Sequence, residues 1–72
     1  MDENFKQLIE ELRAEVMEKI TDTTDRCRCM CLGALESAED NLDVPQSRIT
    51  ISRAIQTVRR LLKNHLRFNQ PK

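Results

Sequence analysis

Residues 5–35 read FKQLIEELRAEVMEKITDTTDRCRCMCLGAL, and this stretch decides the predicted fold. Apolar or near-apolar side chains recur in it every three or four residues, which places them along one side of an α-helix. This seam consists of Phe5, Ile9, Leu12, Val16, Ile20, Thr23, Cys27, Met30 and Ala34. Its period predicts an all-α protein.

The segment TDTTD at residues 21–25 is the weak point of this predicted helix. Its residues are poor helix formers and good N-caps, so a second helix could begin there. The seam nevertheless keeps its phase from Ile20 through Thr23 to Cys27, and a turn would normally reset it. We therefore predict one continuous helix over about residues 3–41. A break is the alternative, and it would allow a compact three-helix bundle with less need of a partner.

Pro45 marks the one clear connector, which we predict at residues 42–46. Proline disfavours the α conformation at the residue before it but is accepted in a first helical turn, so a second helix is predicted over about residues 47–68. Because the connector is short, the two helices should be antiparallel neighbours. Residues 1–72 are thus predicted to form a single module, a long antiparallel helical hairpin. One arc of the second helix carries its apolar side chains, together with its histidine: Ile51, Ala54, Ile55, Val58, Leu61, Leu62, His65 and Leu66.

The two predicted helices differ in length. At about 1.5 Å per residue, a second helix of about 23 residues covers only part of a first helix of about 38 residues. An uncovered apolar strip of this kind marks an interaction surface. The candidate partner-binding residues are Phe5, Leu8, Ile9, Leu12, Val16 and Ile20. Two hairpins that cover each other would form a homodimer, as a four-helix bundle or a coiled coil. Docking of a helix from another protein is the alternative.

Charge is distributed unevenly along a chain whose net charge is zero. Residues 1–43 hold all twelve acidic residues and five basic ones, whereas residues 44–72 hold seven basic residues and no acidic one. The basic face of the second helix points away from its apolar arc and consists of Arg53, Arg59, Arg60, Lys63 and Arg67. It could remain solvated, bind the phosphates of a nucleic acid, or meet an acidic helix face of another copy. That acidic face would consist of Glu11, Glu15, Glu18, Asp22 and Asp25.

The cluster Cys27, Cys29 and Cys31 suggests a metal site, because thiolates bind zinc. On a helix, however, Cys29 points about 200° away from Cys27, so the three thiols cannot converge on one ion. The sequence also lacks the second ligand pair of the usual zinc motifs. We therefore predict no metal ligand and no cofactor. Cys27 and Cys31 are interpreted as small core residues, and Cys29 as an exposed one.

His65 is the only histidine in the chain. A general base needs an orienting carboxylate, and the second helix contains no acidic residue. We interpret His65 as a core histidine that is hydrogen-bonded to Thr23 or Thr24. Since the sequence also shows no nucleophile paired with a base and no glycine-rich phosphate loop, we predict no catalytic residue and no enzyme.

The predicted function is a non-enzymatic oligomerisation or adaptor module. No apolar run approaches the roughly 20 residues that span a bilayer, and residues 1–7 lack the features of a signal peptide. An odd, clustered set of cysteines fits a reducing compartment, so we expect an intracellular protein, cytoplasmic or nuclear. A small dimeric nucleic-acid-binding regulator is the alternative. The zero net charge and the absence of an aromatic stacking platform and of a helix-turn-helix signature disfavour it.

Overall fold

A computed structural model of the chain describes residues 3–68. It contains three helices, α1 (Glu3–Lys19), α2 (Arg26–Asp40) and α3 (Arg48–Phe68), with a 3-10 turn at Pro45–Ser47 before α3. The prediction of an all-α protein is confirmed for this part of the chain, which has no strand. None of its helices has an apolar stretch long enough to cross a membrane.

The continuous helix predicted over residues 3–41 is wrong, because the chain turns between α1 and α2. Asp22 stabilises the turn: its Oδ1 accepts a hydrogen bond from the Thr24 amide at 2.9 Å and from the Thr24 hydroxyl at 2.7 Å. Asp25 then caps α2, since its Oδ1 accepts from the Arg28 amide at 3.1 Å. The two carboxylates thus accept hydrogen bonds from backbone amides that would otherwise donate to carbonyls of a continuing helix.

The apolar seam changes phase across this turn. Met30, which the continuous pattern placed on the seam, is 58% exposed, and Thr23 is exposed in the turn. α2 instead buries Cys31, Leu35 and Ala38. The predicted seam therefore describes α1 well. On α2 the buried side is shifted away from Met30 to Cys31 and Leu35, while Cys27 and Ala34 are partly buried against the core.

One side-chain contact for each pair of successive helices, together with the short connections between them, indicates that successive helices run in opposite directions. Arg13 Nη2 on α1 lies 3.1 Å from Glu39 Oε2, near the end of α2. The Cys27 thiol, near the start of α2, donates to the Leu61 carbonyl in the second half of α3 at 3.5 Å. α3 also packs against α1, so the three helices form a bundle. If each short connection reverses the chain, α1 and α3 run in the same direction.

All three helices contribute to one apolar core, and among residues 4–67 no polar residue is buried in it. The buried residues are Ile9, Leu12, Val16, Ile20, Cys31, Leu35, Ala38, Ile51, Ile55, Val58 and Leu62. The predicted difference in helix length is also wrong, since α1 has 17 residues and α3 has 21. Because the turn brings α2 back over α1, the chain covers its own seam on α1, and no apolar overhang is present within the part of the chain that the structure describes.

Asn41 and Ser47 hold the connector between α2 and α3. The Asn41 side-chain amide donates to the Ser37 carbonyl at 2.8 Å, and the Ser47 hydroxyl donates to Asn41 Oδ1 at 3.4 Å. Pro45 occupies the first position of the 3-10 turn, where its missing amide hydrogen costs nothing. α3 begins at Arg48, one residue after the predicted start.

Replacing Gly33 by Ala should stabilise the chain. Gly33 lies in the interior of α2 and is exposed, and a Cβ added there meets no atom within 4 Å. Alanine restricts the unfolded backbone more than glycine does, so we expect the free energy of unfolding to rise by about 0.5–1 kcal/mol. Urea unfolding followed by circular dichroism would measure the change. A loss of stability would show that another backbone approaches Gly33 in solution.

Candidate functional site

The predicted partner-binding residues do not form a surface. Ile9 and Leu12, which were predicted to lie uncovered, are buried in the core, and Val16 and Ile20 are buried with them. Phe5 and Leu8 are partly buried and pack against the same core. A contact through the four buried residues would require the core of the chain to open.

The basic face of α3 is exposed as predicted. Arg53, Arg59, Arg60, Lys63 and Arg67 all lie on the solvent side of the helix. The stretch from residue 53 to residue 67 extends for about 21 Å along the helix axis. None of these five side chains is in an ion pair within residues 3–68; Arg13 pairs with Glu39, and His65 pairs with Asp25.

An acidic stripe follows the exposed side of α1, made of Glu11, Glu15 and Glu18. The sequence grouped Asp22 and Asp25 with these glutamates, and that part of the prediction is wrong. Both aspartates belong to the turn between α1 and α2, where each accepts local hydrogen bonds. The acidic stripe is therefore shorter than predicted and lies on α1 alone.

The acidic stripe lies on the side of α1 that is turned away from α2. Arg13 marks the side facing α2, because it pairs with Glu39. At about 100° per residue, Glu11, Glu15 and Glu18 lie about 140–160° around α1 from Arg13. Their carboxylates are therefore directed away from α2.

The basic face of α3 is turned the same way. His65 marks the side facing α2, since its Nε2 lies 3.1 Å from Asp25 Oδ2 at the start of that helix. Arg60, Lys63 and Arg67 lie about 140–160° around α3 from His65. Because α1 and α3 are in contact, an acidic and a basic stripe lie side by side on the bundle face that α2 does not reach. We call this the α1–α3 face.

The α3 side of this face also carries one exposed apolar residue, Ile49, which is 67% accessible and lies about 160° around the helix from His65.

Sequence reasoning missed this arrangement because it placed residues 3–41 in one helix. The available signal was the spacing of the basic residues, which already directed them away from the apolar arc. Only the turn at residues 20–25 brings α1 beside α3 with its glutamates on the same side.

His65 joins the turn to α3, but through Asp25 and not through the predicted Thr23 or Thr24. The hydrogen bond from His65 lowers the pKa of Asp25 below its ordinary value, and the Arg28 amide lowers it further. The Thr24 hydroxyl and amide lower the pKa of Asp22 in the same way. The bonded carboxylates are therefore favoured in their ionised forms.

Acid should weaken the fold through these two carboxylates. A carboxylate whose pKa is lower in the folded chain stabilises the fold above its unfolded pKa, and this stabilisation is lost as the pH falls through the folded value. We expect the unfolding free energy to drop below about pH 4, the ordinary pKa range of aspartate. Asn can still cap a helix but cannot ionise, so Asp25→Asn should make this drop smaller. Thermal unfolding from neutral to acidic pH would test it, and identical profiles for parent and variant would contradict it.

The three cysteines occupy three different environments and do not converge. Cys29 is exposed, Cys27 is half-buried and Cys31 is fully buried. Burial raises the pKa of the Cys31 thiol to about 12, and the neighbouring Cys27 thiol, 3.9 Å away, adds to the increase. Within residues 3–68, no group of three or more His, Cys, Asp or Glu side chains is placed to hold a metal ion.

Thiol labelling should follow this order of exposure. A maleimide reagent needs an accessible thiolate, so we expect Cys29 to react first, Cys27 more slowly and Cys31 only after unfolding. Mass spectrometry of the native and urea-unfolded chain would count the adducts, and Cys29→Ser should remove the fast one. Modification of Cys31 in the native chain as rapidly as Cys29 would contradict the packing of α2.

No protein-family model matches the chain, and no curated protein or solved structure matches it. The α1–α3 face is thus the feature that the sequence and the fold together single out. It offers guanidinium and ammonium donors on one helix and carboxylate acceptors on the next. Such a face can bind another charged surface by complementarity.

Proposed function

We propose that the chain is a non-enzymatic protein-interaction module, which binds an acidic helix of a partner through the basic face of α3. One observation carries this proposal: the five side chains of the basic face are exposed on a helix that has no acidic residue, and none of these five is in an ion pair within residues 3–68. An acidic helix presents carboxylates at a matching spacing of three and four residues, so several charge pairs can form along one contact.

The proposal moves the contact from the apolar seam to the charged face. A dimeric four-helix bundle or a coiled coil through the seam would require Ile9, Leu12 and Val16 to leave the core of their own chain. Exposing each of these large aliphatic side chains to water would cost about 1.5–3 kcal/mol before any new contact formed. Docking on the basic face requires no such rearrangement.

Nucleic acid is the second candidate, because a row of arginines and a lysine about 21 Å long can also bind phosphates. The position of the acidic side chains makes nucleic-acid binding less favourable than the sequence alone indicated. Glu11, Glu15 and Glu18 lie on the same face as the basic stripe and would repel a phosphate backbone. A narrow acidic helix can occupy the basic stripe without covering α1, whereas a duplex is too wide to do so.

We place the site of action inside the cell, in the cytoplasm or the nucleus. All three cysteines are free thiols in the structure, which suits a reducing compartment. Imaging of a fluorescently tagged chain would test the location, and secretion into the medium would contradict it.

A binding measurement with two probes tests the proposed function. The first probe is a synthetic helical peptide with glutamates at positions i, i+4 and i+7, and the second is a short DNA duplex. We expect the peptide to bind at low salt and to shift the NMR signals of α3, and we expect weaker binding by the duplex. Arg60→Gln with Lys63→Gln should reduce peptide affinity at least severalfold.

Arg26→Gln provides the matched control, because Arg26 is an exposed arginine on α2, away from the α1–α3 face. It removes one positive charge and should leave peptide affinity almost unchanged. Equal losses for the α3 and α2 variants would mean that only net charge matters, which would contradict the proposal. Tighter binding of the duplex than of the peptide would favour the nucleic-acid function.

A further inference from the structure

We infer that the partner helix carries two rows of opposite charge. Its acidic row lies on the basic face of α3, and the flank beside that row carries lysines or arginines that meet Glu11, Glu15 and Glu18 on α1. This inference rests on the proposed function and specifies its partner. The occupied surface is then the whole α1–α3 face, and not the basic face alone.

The basic face of α3 begins at the border with α1. The buried Leu62 marks the middle of the inner side of α3. At about 100° per residue, His65 lies about 60° from it on one side and Arg59 about 60° on the other, with Lys63 next at about 100°. His65 meets Asp25 at the start of α2. Because α3 packs against both other helices, Arg59 and Lys63 lie on its side toward α1.

Glu15 occupies the corresponding border of α1. Val16 is fully buried and marks the middle of the inner side of α1. Arg13, which faces α2, lies about 60° from Val16 in one direction, and Glu15 lies about 100° from it in the other. Glu11 and Glu18 follow farther around the helix, at about 140° and 160°. The acidic stripe therefore starts beside α3 and extends over the outer side of α1.

The charges of the two stripes are available to a partner. Glu15 and Glu18 are in no ion pair within residues 3–68, and neither is any member of the basic face. Glu11 accepts a hydrogen bond from the neutral Gln7 side chain at 3.3 Å, which leaves its charge in place. Lys19 lies on the same flank as Glu15 near the end of α1, so the negative charge is greatest toward the middle of that helix.

A helix bound on the basic face also reaches the edge of α1. Packed helices lie about 8–10 Å apart, and a helix with its side chains is about 10–12 Å wide. Because α1 is packed against α3, one flank of the bound helix comes close to Glu15. Acidic side chains on that flank would be repelled, whereas basic ones would be attracted. Complementarity therefore favours a basic row beside the acidic row of the partner.

Two cross-linked helical peptides of identical composition test the inference. Both carry glutamates at positions i, i+4 and i+7. One carries lysines at i+1, i+5 and i+8, about 100° around the helix from the glutamates, and the other carries them at i+2, i+6 and i+9, on the opposite side. We expect the first peptide to bind the parent chain about three- to tenfold more tightly at low salt, a modest preference because exposed ion pairs contribute little individually. In about 1 M salt, where the screening length is about 3 Å, the preference should disappear.

A variant with Glu11→Gln, Glu15→Gln and Glu18→Gln should bind both peptides with equal affinity through α3. The two peptides have the same net charge, and comparison of their affinity ratio between chains cancels any difference in their helicity. The three glutamates are exposed, so circular dichroism should show parental helicity. If the triple variant unfolds, Glu15→Gln alone provides the test and should lower the preference by a smaller factor.

The matched control carries Glu10→Gln, Glu36→Gln and Asp40→Asn. These three acidic residues are exposed and lie off the α1–α3 face, Glu10 on the side of α1 toward α2 and the other two on the outer side of α2. The control loses the same three negative charges and should keep the preference for the first peptide. Loss of the preference in the control as well would mean that net charge causes it, which would overturn the inference.

The outcome for this inference is separable from that for the proposed function. Equal affinity of the parent chain for the two peptides would overturn the inference, and so would a preference that survives in the glutamine variant. In both cases the basic face would still bind glutamates, and the proposed function would stand. A parent chain that binds neither of these peptides nor the peptide that carries glutamates alone would contradict both.

Discussion

Replacing Leu35 by Ala is expected to destabilise the chain by about 2–5 kcal/mol, the cost of emptying a fully buried leucine site. Leu35 is 0% exposed and lies in the middle of α2, where its side chain is enclosed within the shared core of the bundle. A domain of 72 residues has a total stability of roughly 4–11 kcal/mol, so this change removes a large share of it. Urea unfolding followed by circular dichroism would give the difference.

Met30→Ala is the matched control for this prediction. Met30 lies on the same helix but is 58% exposed, so its truncation should change the unfolding free energy by no more than about 0.5 kcal/mol. In a continuous helix over residues 3–41 the seam would run through Met30. A larger loss of stability for Met30→Ala than for Leu35→Ala would therefore contradict the assignment of the buried face of α2.

Replacing Leu12 by Asp should unfold the chain at every concentration. Leu12 is 6% exposed in the core, and a carboxylate there is buried without a partner, at a cost above about 4 kcal/mol. If Leu12 instead belonged to an intermolecular seam, the variant would lose association while keeping helicity that recovers as concentration rises. Circular dichroism across a dilution series distinguishes the two outcomes.

Met17→Asp places the same new charge on the exposed side of the same helix. Met17 is 50% exposed, so its aspartate stays hydrated and the chain should remain folded. Unfolding of both variants would mean that α1 tolerates no additional acid anywhere, and the contrast between the buried and exposed faces of α1 would lose its support.

Much of the secondary structure could be predicted from local patterns. The apolar period identified the buried side of α1 through Ile9, Leu12 and Val16, and it placed Ile51, Ile55 and Val58 on the inner side of α3. These patterns repeat at 3.6-residue spacing within one helix, which is why they were reliable. The outward direction of the basic residues on α3 followed from the same geometry.

The turn at residues 20–25 could not be decided by periodicity alone. Two ends of a broken helix can keep an apparent common phase by chance, as Ile20 and Cys27 do here. The structure resolves the competition in favour of capping, because Asp22 and Asp25 both accept local backbone hydrogen bonds. The apolar period of the sequence carries no information about these hydrogen bonds. It therefore predicted too long a first helix and, from that length, an apolar overhang that is not present in residues 3–68.

The α1–α3 face could be predicted only in part for the same reason. The charges of Glu15 and Lys63 were evident in the sequence, but whether they share a face depends on the direction in which α1 leaves the turn. A continuous helix would have put Glu11 and Glu15 on a part of the first helix that α3 does not reach. Placement of a composite surface requires the tertiary arrangement, which no local spacing specifies.

The central claim is that one chain completes its own core, and urea unfolding at two chain concentrations tests it most directly. The measurement should be made in about 1 M salt, where screening suppresses association through charge, with concentrations about tenfold apart. We predict a helical monomer whose unfolding midpoint is the same at both concentrations. A midpoint that rises with concentration, with helicity lost on dilution, would show that the core needs a second chain and would contradict the account.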